Sequence, residues 1–257
     1  MKVSQVAAQL YTLRDHCKTS ADLAATLAKV KAIGYPAIQV SGIGPITPEE
    51  VAELARAEGL VICATHEAAP LILNDPAAVV ARLRGFGTRT TAYPYPAGVD
   101  FGDVAQVEAL AAALNRAGAV LAAAGMTLCY HNHHHEFRKI RGQIILEYLF
   151  EHTHPSNLQG EIDTYWVQFG GQDPVAWCRR LAGRLPLLHL KDYQITSESK
   201  VTFAEIGQGT LDFPAIIAEA EASGCQWFIV EQDTCPGDPF DSLATSFRYL
   251  YDVIAER

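Results

Sequence analysis

The stretch Val104–His131, VAQVEALAAALNRAGAVLAAAGMTLCYH, holds one complete helix–strand unit and sets the reading of the rest of the chain. A long alanine-rich helical pattern runs from Val104 to Ala124, and Gly125 ends it. Met126 to His131 then forms a short, mostly apolar run, the pattern of a strand buried on both faces. The same alternation recurs on either side. Strand-like runs fall at Val3–Leu10, Ala37–Val40, Leu60–Thr65, Thr90–Tyr93, Met126–His131, Leu158–Asp163, Leu187–Leu190 and Trp227–Glu231, eight in all. Ser20–Ala32 places Leu23, Leu27 and Val30 at helical spacing. Thr47-Pro48-Glu49-Glu50 supplies an N-cap, a first-turn proline and an acidic residue three positions on. Asp173-Pro174 repeats that start, Asp212–Ser223 stops at Gly224, and Asp241–Glu256 is expected to be the last helix. Pro94–Phe101 reads as a loop before its helix.

Eight such units in 257 residues predict a closed α/β (β/α)8 TIM barrel, a single domain spanning residues 1–257. The competing architecture is an open doubly wound sheet, which often carries a phosphate site on an early glycine-rich turn. The first turn here reads Gln9-Leu10-Tyr11-Thr12-Leu13-Arg14-Asp15, with no glycine, and no GxGxxG or phosphate-loop pattern follows any strand. No proline- or serine-rich linker divides the chain.

Composition narrows the function. Apolar residues make up 49% and charged residues 19%, enough for a sizeable core and too little charge for disorder. The net charge of -9 argues against a nucleic-acid groove. No apolar run approaches the roughly 20 residues that span a bilayer, so no membrane partner is expected. Met1-Lys2-Val3-Ser4-Gln5 does not open a signal peptide. The six cysteines lie far apart without a CxxC pair and read as buried free thiols, which fits the cytoplasm. A homo-oligomer stays open.

In a barrel the site lies at the C-terminal ends of the strands. Those ends carry Gln9 and Tyr11; His66 and Glu67; His131, Asn132 and His133; Asp163 with Tyr165 and Trp166; His189, Lys191 and Asp192; and Glu231 with Asp233. His131, Asp163, His189 and Glu231 together offer two imidazoles and two carboxylates, a set that suits one divalent ion such as Mn²⁺, Zn²⁺, Co²⁺ or Fe²⁺. Mg²⁺ would prefer more oxygen. Residues two apart on a strand share a face, so His131 and His133 point inward together, with His134 and His135 outside the first ring of ligands. Glu136 could reach back into the pocket or face solvent. Cys129 shares the His131 face but is expected lower in the barrel packing.

The patterns His131-Asn132-His133…Glu136-Phe137, Glu161-Ile162-Asp163-Thr164, His189-Leu190-Lys191-Asp192, Gly207-Gln208-Gly209…Asp212-Phe213 and Val230-Glu231-Gln232-Asp233 span nearly the whole chain. With the opening Gln9–Asp15 they resemble the sugar phosphate isomerase/epimerase superfamily with a xylose isomerase-like TIM barrel. The resemblance implies one divalent metal held by Glu, Asp, His and Glu. Asp163, His189 and Glu231 match the last three, and His131 stands where many relatives carry Glu. It also implies proton abstraction alpha to a carbonyl of a sugar or polyol ketone, with a metal-bound Glu on each side of the substrate in epimerases.

Replacing the first Glu by His131 removes that symmetric pair. Glu231 remains as one base and His133 becomes the second acid/base, since imidazole titrates near working pH. Lys191 could hold a developing oxyanion or pair with Asp192 at the surface. His66, Tyr11, Glu136 and Trp166 are the candidate substrate contacts. The expectation is a metal-dependent carbohydrate isomerase or epimerase acting on a small-molecule sugar. A lyase or dehydratase on the same metal site and a non-catalytic sugar-binding barrel are the alternatives. An apurinic-site endonuclease of the same barrel type is disfavoured by the net charge of -9. No phosphate turn follows the seventh or eighth strand, and Gly207-Gln208-Gly209 reads as a turn into the next helix.

Overall fold

The computed structural model describes residues 1–254. Eight parallel strands close into a barrel: β1 (Val6–Gln9), β2 (Ala37–Val40), β3 (Val61–His66), β4 (Thr90–Tyr93), β5 (Thr127–His131), β6 (Gln159–Asp163), β7 (Leu187–Leu190) and β8 (Trp227–Val230). Each neighbours the next in sequence, and β8 pairs with β1, so the barrel leaves no free edge. Each strand falls inside its expected run or within a residue of it.

The largest difference is at β1, where the expected run Val3–Leu10 keeps only its centre. Short 3₁₀ turns take the flanks, Val3–Gln5 and Leu10–His16. Side-chain amides drive both turns. Gln5 Oε1 accepts the Lys2 N–H at 3.0 Å, and Gln9 Oε1 accepts the Tyr11 N–H at 3.3 Å. Glu231, expected as the last strand residue, sits one position past the end of β8.

Helix starts follow their caps. Thr47 accepts the Glu50 N–H ahead of Pro48–Ala57, and Asp173 accepts the Val175 N–H ahead of Pro174–Arg180. The last helix begins earlier than expected, at Pro239 under an Asp238 cap, and runs to Tyr249 before a wide π-type turn over Leu250–Ile254. Residues 255 and 256 of the expected span lie outside the described residues. Two short antiparallel hairpins had no counterpart in the sequence reading: Lys139–Ile140 with Gln143–Ile144, and Asp192–Ile195 with Val201–Ala204. Their strands are too short and too polar to stand out as runs. The described cysteines are all free thiols. No described helix is long and apolar enough to cross a membrane.

Period-two alternation sorts each strand between two cores. Outward residues such as Val6, Ile38, Leu128, Ile162, Leu188 and Phe228 pack under the helices. Inward residues Ala7, Ala37, Cys63, Ala64, Ala92, Cys129, Leu187 and Ile229 fill the lower barrel. Most are small, because eight converging strands leave little room at the axis. Cys129 belongs to this plug. Two residues further along each strand the same inward direction carries Gln9, Gln39, His131, His189 and Glu231, and on β6 it carries Glu161 and then Asp163. The barrel interior therefore changes from apolar to ionisable at its C-terminal end.

The helix Val104–Ala123 approaches the loop before β6 so closely that a Cβ at Gly118 would overlap the Asn157 backbone. Alanine is about 1 kcal/mol better than glycine in a helix. The overlap opposes this with overpacking of roughly 1–3 kcal/mol, against backbone that cannot rotate away. Gly118→Ala is therefore expected to lower the melting temperature by up to about 8 °C in a calorimetric scan. A rise would show that the helix and loop separate freely.

Candidate active site

The ionisable layer is built on hydrogen-bonded pairs of adjacent strands. His131 lies opposite Glu161, and Asp163 opposite His189. Both carboxylates and the His189 ring are fully buried. Burial would push the His189 ring down, but the Glu161 and Glu231 carboxylates outweigh it and raise the ring to about 10. His189 Nδ1 is 2.9 Å from Glu231 Oε2, and its Nε2 is 2.6 Å from Gln39 Oε1. Burial dominates at His131 and lowers it to about 3.

Lys191 lies just past β7 with 1% of its surface exposed. Its Nζ is 2.8 Å from Glu231 Oε2, 3.0 Å from Asp163 Oδ2 and 3.2 Å from each oxygen of Asp233. The expected alternative, a surface pair with Asp192, does not form. Asp192 is also buried, but it accepts N–H groups from Tyr193, Gly207, Gly209 and Leu211. The glycine turn wraps this carboxylate, which explains Gly207 at φ 84° and the lack of room for a Cβ at Gly209. Burial raises Asp163 to about 6 even against the Lys191 charge, whereas Glu231, between Lys191 and His189, stays well below the usual carboxylate range despite its burial.

This layer forms the floor of an open cavity of about 430 Å³, with His66, His131, His133, Lys191 and Glu231 on its surface. Tyr11, 38% exposed, stands at the rim with Arg14 over its ring. Two candidate contacts lie elsewhere. Trp166 packs behind the wall against His133 and Lys191, with ring centroids 5.5 Å from His133. Glu136 is fully buried under the loop, where it accepts the Tyr130 hydroxyl at 3.0 Å and the His133 N–H at 2.9 Å. Burial raises its carboxyl to about 7. Neither borders the cavity in this structure.

Sequence reasoning placed Gln9 and Asp233 at strand ends without giving them a role, and did not single out Glu161, Gln39 or Arg14. Glu161, quoted only within a motif, bonds His66 Nε2 at 2.6 Å and Gln39 Nε2 at 2.5 Å. Gln9 and Gln39 are buried amides at inward strand positions. Asp233 and Arg14 close the rim, with Arg14 donating to the Asp233 carbonyl at 3.0 Å. The available signal was the two-residue spacing of Glu161 to Asp163, and a glutamine inside each of two otherwise apolar strands.

Among the described residues, the donor atoms of His131, Asp163, His189 and Glu231 lie within 4.8 Å of one another, as do those of His66, His131, Glu161 and His189. The first set fits a divalent ion better. Asp163 Oδ2 is buried without a hydrogen bond and has only the Lys191 charge at 3.0 Å, whereas His131, common to both sets, turns Nδ1 to within 3.3 Å of Glu161 Oε2. In the second set Glu161 is already bonded to Gln39 and His66. A third group, His133, His135 and Glu136, is looser and sits in the loop after β5.

The model of the xylose isomerase-like TIM barrel family matches residues 27–253. An inosose dehydratase of Geobacillus thermodenitrificans is 29% identical over 157 residues, 54% of this chain and 52% of that protein. The chain thus spans about half the length of the curated relatives it matches. A sugar phosphate isomerase/epimerase from Parabacteroides distasonis superposes with a TM-score of 0.83 at 22% identity, covering 98% of this chain and 95% of the other. A xylose isomerase-like TIM barrel protein from Mycobacterium smegmatis, solved in complex with magnesium, gives a TM-score of 0.75 at 13% identity, covering 97% of each chain. At these identities the structural likeness concerns the fold.

The Lys191 ammonium is the counter-charge for Asp163 and Glu231 in the metal-free chain. Removing one partner of a buried ion pair costs about 3–5 kcal/mol. Lys191→Met is expected to melt roughly 10 °C below the parent without metal. Saturating Mn²⁺ should recover more of that loss than it adds to the parent. Equal Mn²⁺ shifts in both proteins would show that the ion does not share these carboxylates.

Proposed function

The chain belongs to the xylose isomerase-like TIM barrel family, and from that premise we propose that it is a metal-dependent enzyme acting on a small polyol ketone or sugar. His131, Asp163, His189 and Glu231 would hold one divalent ion, of Mn, Zn, Co, Fe or Mg. Such an ion, when bound, supplies Lewis acidity that polarises a carbonyl and steadies charge developing on its oxygen.

The chain's own residues then supply proton handling. Glu231 Oε2 lies at the cavity floor as the base for a proton alpha to the carbonyl. Lys191 Nζ, 2.8 Å away, is the donor to a developing oxyanion or a departing hydroxyl. His133 on the wall and Tyr11 at the rim border the same space, and His66 offers a further polar contact. Glu136 and Trp166 act through His133, which they fix from behind.

The single observation that carries the reaction class is the adjacency of Glu231 and Lys191. Base and proton donor lie side by side, an arrangement suited to removing a proton and a hydroxyl from one face, which is loss of water. The inosose dehydratase relative points the same way. Isomerisation or epimerisation is the second reading, with His133 bordering the same cavity as a neutral base, because burial holds its ring well below the ordinary imidazole range rather than near working pH as the sequence suggests. An unphosphorylated substrate is favoured, because no glycine-rich phosphate turn follows the seventh or eighth strand and Arg14 at the rim is held by the Tyr11 and Asp233 carbonyls at 2.8 and 3.0 Å.

The test is incubation of the metal-loaded protein with inososes and with free keto-hexoses in deuterated water, followed by NMR. Dehydration predicts loss of water from an inosose. Deuterium at the alpha carbon without loss of water would favour the isomerase or epimerase reading. No turnover or exchange with any ion would contradict both and favour a sugar-binding barrel. Glu231→Gln is expected to lower turnover by about 10²–10⁴-fold, as loss of a general base does. Elemental analysis should find one ion per chain, and His131→Ala should bind it more weakly; full retention would place the first ligand elsewhere.

A further inference from the structure

Gln39 is a fully buried amide on β2, and the reading above gives it no role. Its hydrogen bonds carry a direction that can be traced from the backbone. The Tyr11 N–H can only donate, and it meets Gln9 Oε1 at 3.3 Å. That contact turns the Gln9 amide so that its Nε2 faces Gln39, 2.6 Å from Gln39 Oε1. Gln39 therefore presents its oxygen to Gln9 and its nitrogen to Glu161 Oε1, at 2.5 Å. The same Gln39 oxygen is 2.6 Å from His189 Nε2. An amide oxygen has no proton to give, so His189 Nε2 must carry one.

We infer that Gln39 is a positioning residue that keeps a proton on His189 Nε2 and so reserves Nδ1 as the metal-ligating nitrogen. This rests on the cation site proposed above. His189 Nδ1 is the nitrogen facing that site, 2.9 Å from Glu231 Oε2 and 4.0 Å from Asp163 Oδ2. Nε2 faces the other way, 3.5 Å from Glu161 Oε1, within the second cluster of His66, His131, Glu161 and His189. A ring free to choose its tautomer could ligate through either nitrogen. By occupying Nε2, Gln39 directs the ring toward the cavity and takes one donor away from the deeper cluster. Partners of this kind behind a ligating histidine fix its tautomer and ring orientation.

The experiment uses full-length protein labelled with ¹⁵N-histidine, with NMR correlating ring nitrogens and ring C–H protons. Spectra are recorded without metal and with Zn²⁺, for the parent, Gln39→Met and Gln9→Met. In the parent, His189 Nε2 is expected to be protonated in both states, and Nδ1 to take the metal-bound shift with Zn²⁺. Gln39→Met, which removes the acceptor at similar length, should shift the Nε2–H proton out of its hydrogen-bonded position, let Zn²⁺ ligate through either nitrogen and weaken Zn²⁺ binding by about 10- to 100-fold. Gln9→Met, which leaves the Gln39 oxygen and its Glu161 anchor in place, should keep both. A parent His189 with Zn²⁺ on Nε2, or without a proton on Nε2 in the metal-free protein, would overturn the inference; so would Gln39→Met with parental affinity. The parent spectra decide the matter even if Gln39→Met fails to fold. If the parent takes up no Zn²⁺, the cation site falls, and the metal-free Nε2–H resonance, hydrogen-bonded in the parent and in Gln9→Met but not in Gln39→Met, still decides whether Gln39 holds that proton.

Discussion

The Lys191 ammonium, enclosed by Asp163, Glu231 and Asp233 at the C-terminal end of the barrel, is the contact on which the site depends. Burying a lone carboxylate is costly enough that it would take up a proton instead. Two carboxylates side by side multiply that cost unless a cation stands between them. The protein meets this with a buried lysine, and with His189 bonded to Glu231. The resulting pocket gathers carboxylates that suit a divalent ion, with the Lys191 ammonium beside them to meet a substrate oxygen gaining negative charge.

The barrel supplies the constraint that brings these groups together. Parallel pairing sets His131 beside Glu161 and Asp163 beside His189. A plug of mostly small buried residues fills the barrel below them. Side chains from β5, β6, β7 and the residues just past β8 can then converge without any of them belonging to one segment. Behind them the Gln9 and Gln39 amides tie two further strands, β1 and β2, to Glu161 and His189. The loop glycines around Asp192 do the equivalent work outside the barrel, holding the chain after β7 so that Lys191 turns inward.

Much of the fold was legible because strands buried on both faces leave short apolar runs, and these survive as a pattern without any tertiary information. β1 was overextended because Val3 and Leu10 are apolar, while the turns that claim them are closed by glutamine side chains. The two hairpins were invisible because a strand such as Lys139–Ile140 has no periodicity to read. At the site, the terminal residues His131, Asp163, His189 and Glu231 stood out as ionisable groups at strand ends. Glu161 did not, because it lies inside its strand rather than at the end, although the spacing that pairs His131 with His133 also pairs Glu161 with Asp163. Gln39 is neutral and sits inside an apolar strand, so its part in the network emerges only from hydrogen-bond direction across the barrel. The positions of Glu136 and Trp166 depend on how the loop after β5 folds over the wall, which no local pattern encodes.

The central claim is that the buried carboxylates and imidazoles above the plug form a divalent-cation site. Diffraction from crystals soaked in Mn²⁺, collected at the manganese absorption edge, tests it most directly. The account predicts one anomalous peak within ligating distance of His131, Asp163, His189 Nδ1 and Glu231, with Lys191 displaced toward Asp233. A peak among His133, His135 and Glu136, a peak in the deeper cluster around Glu161, or no peak at all would contradict it.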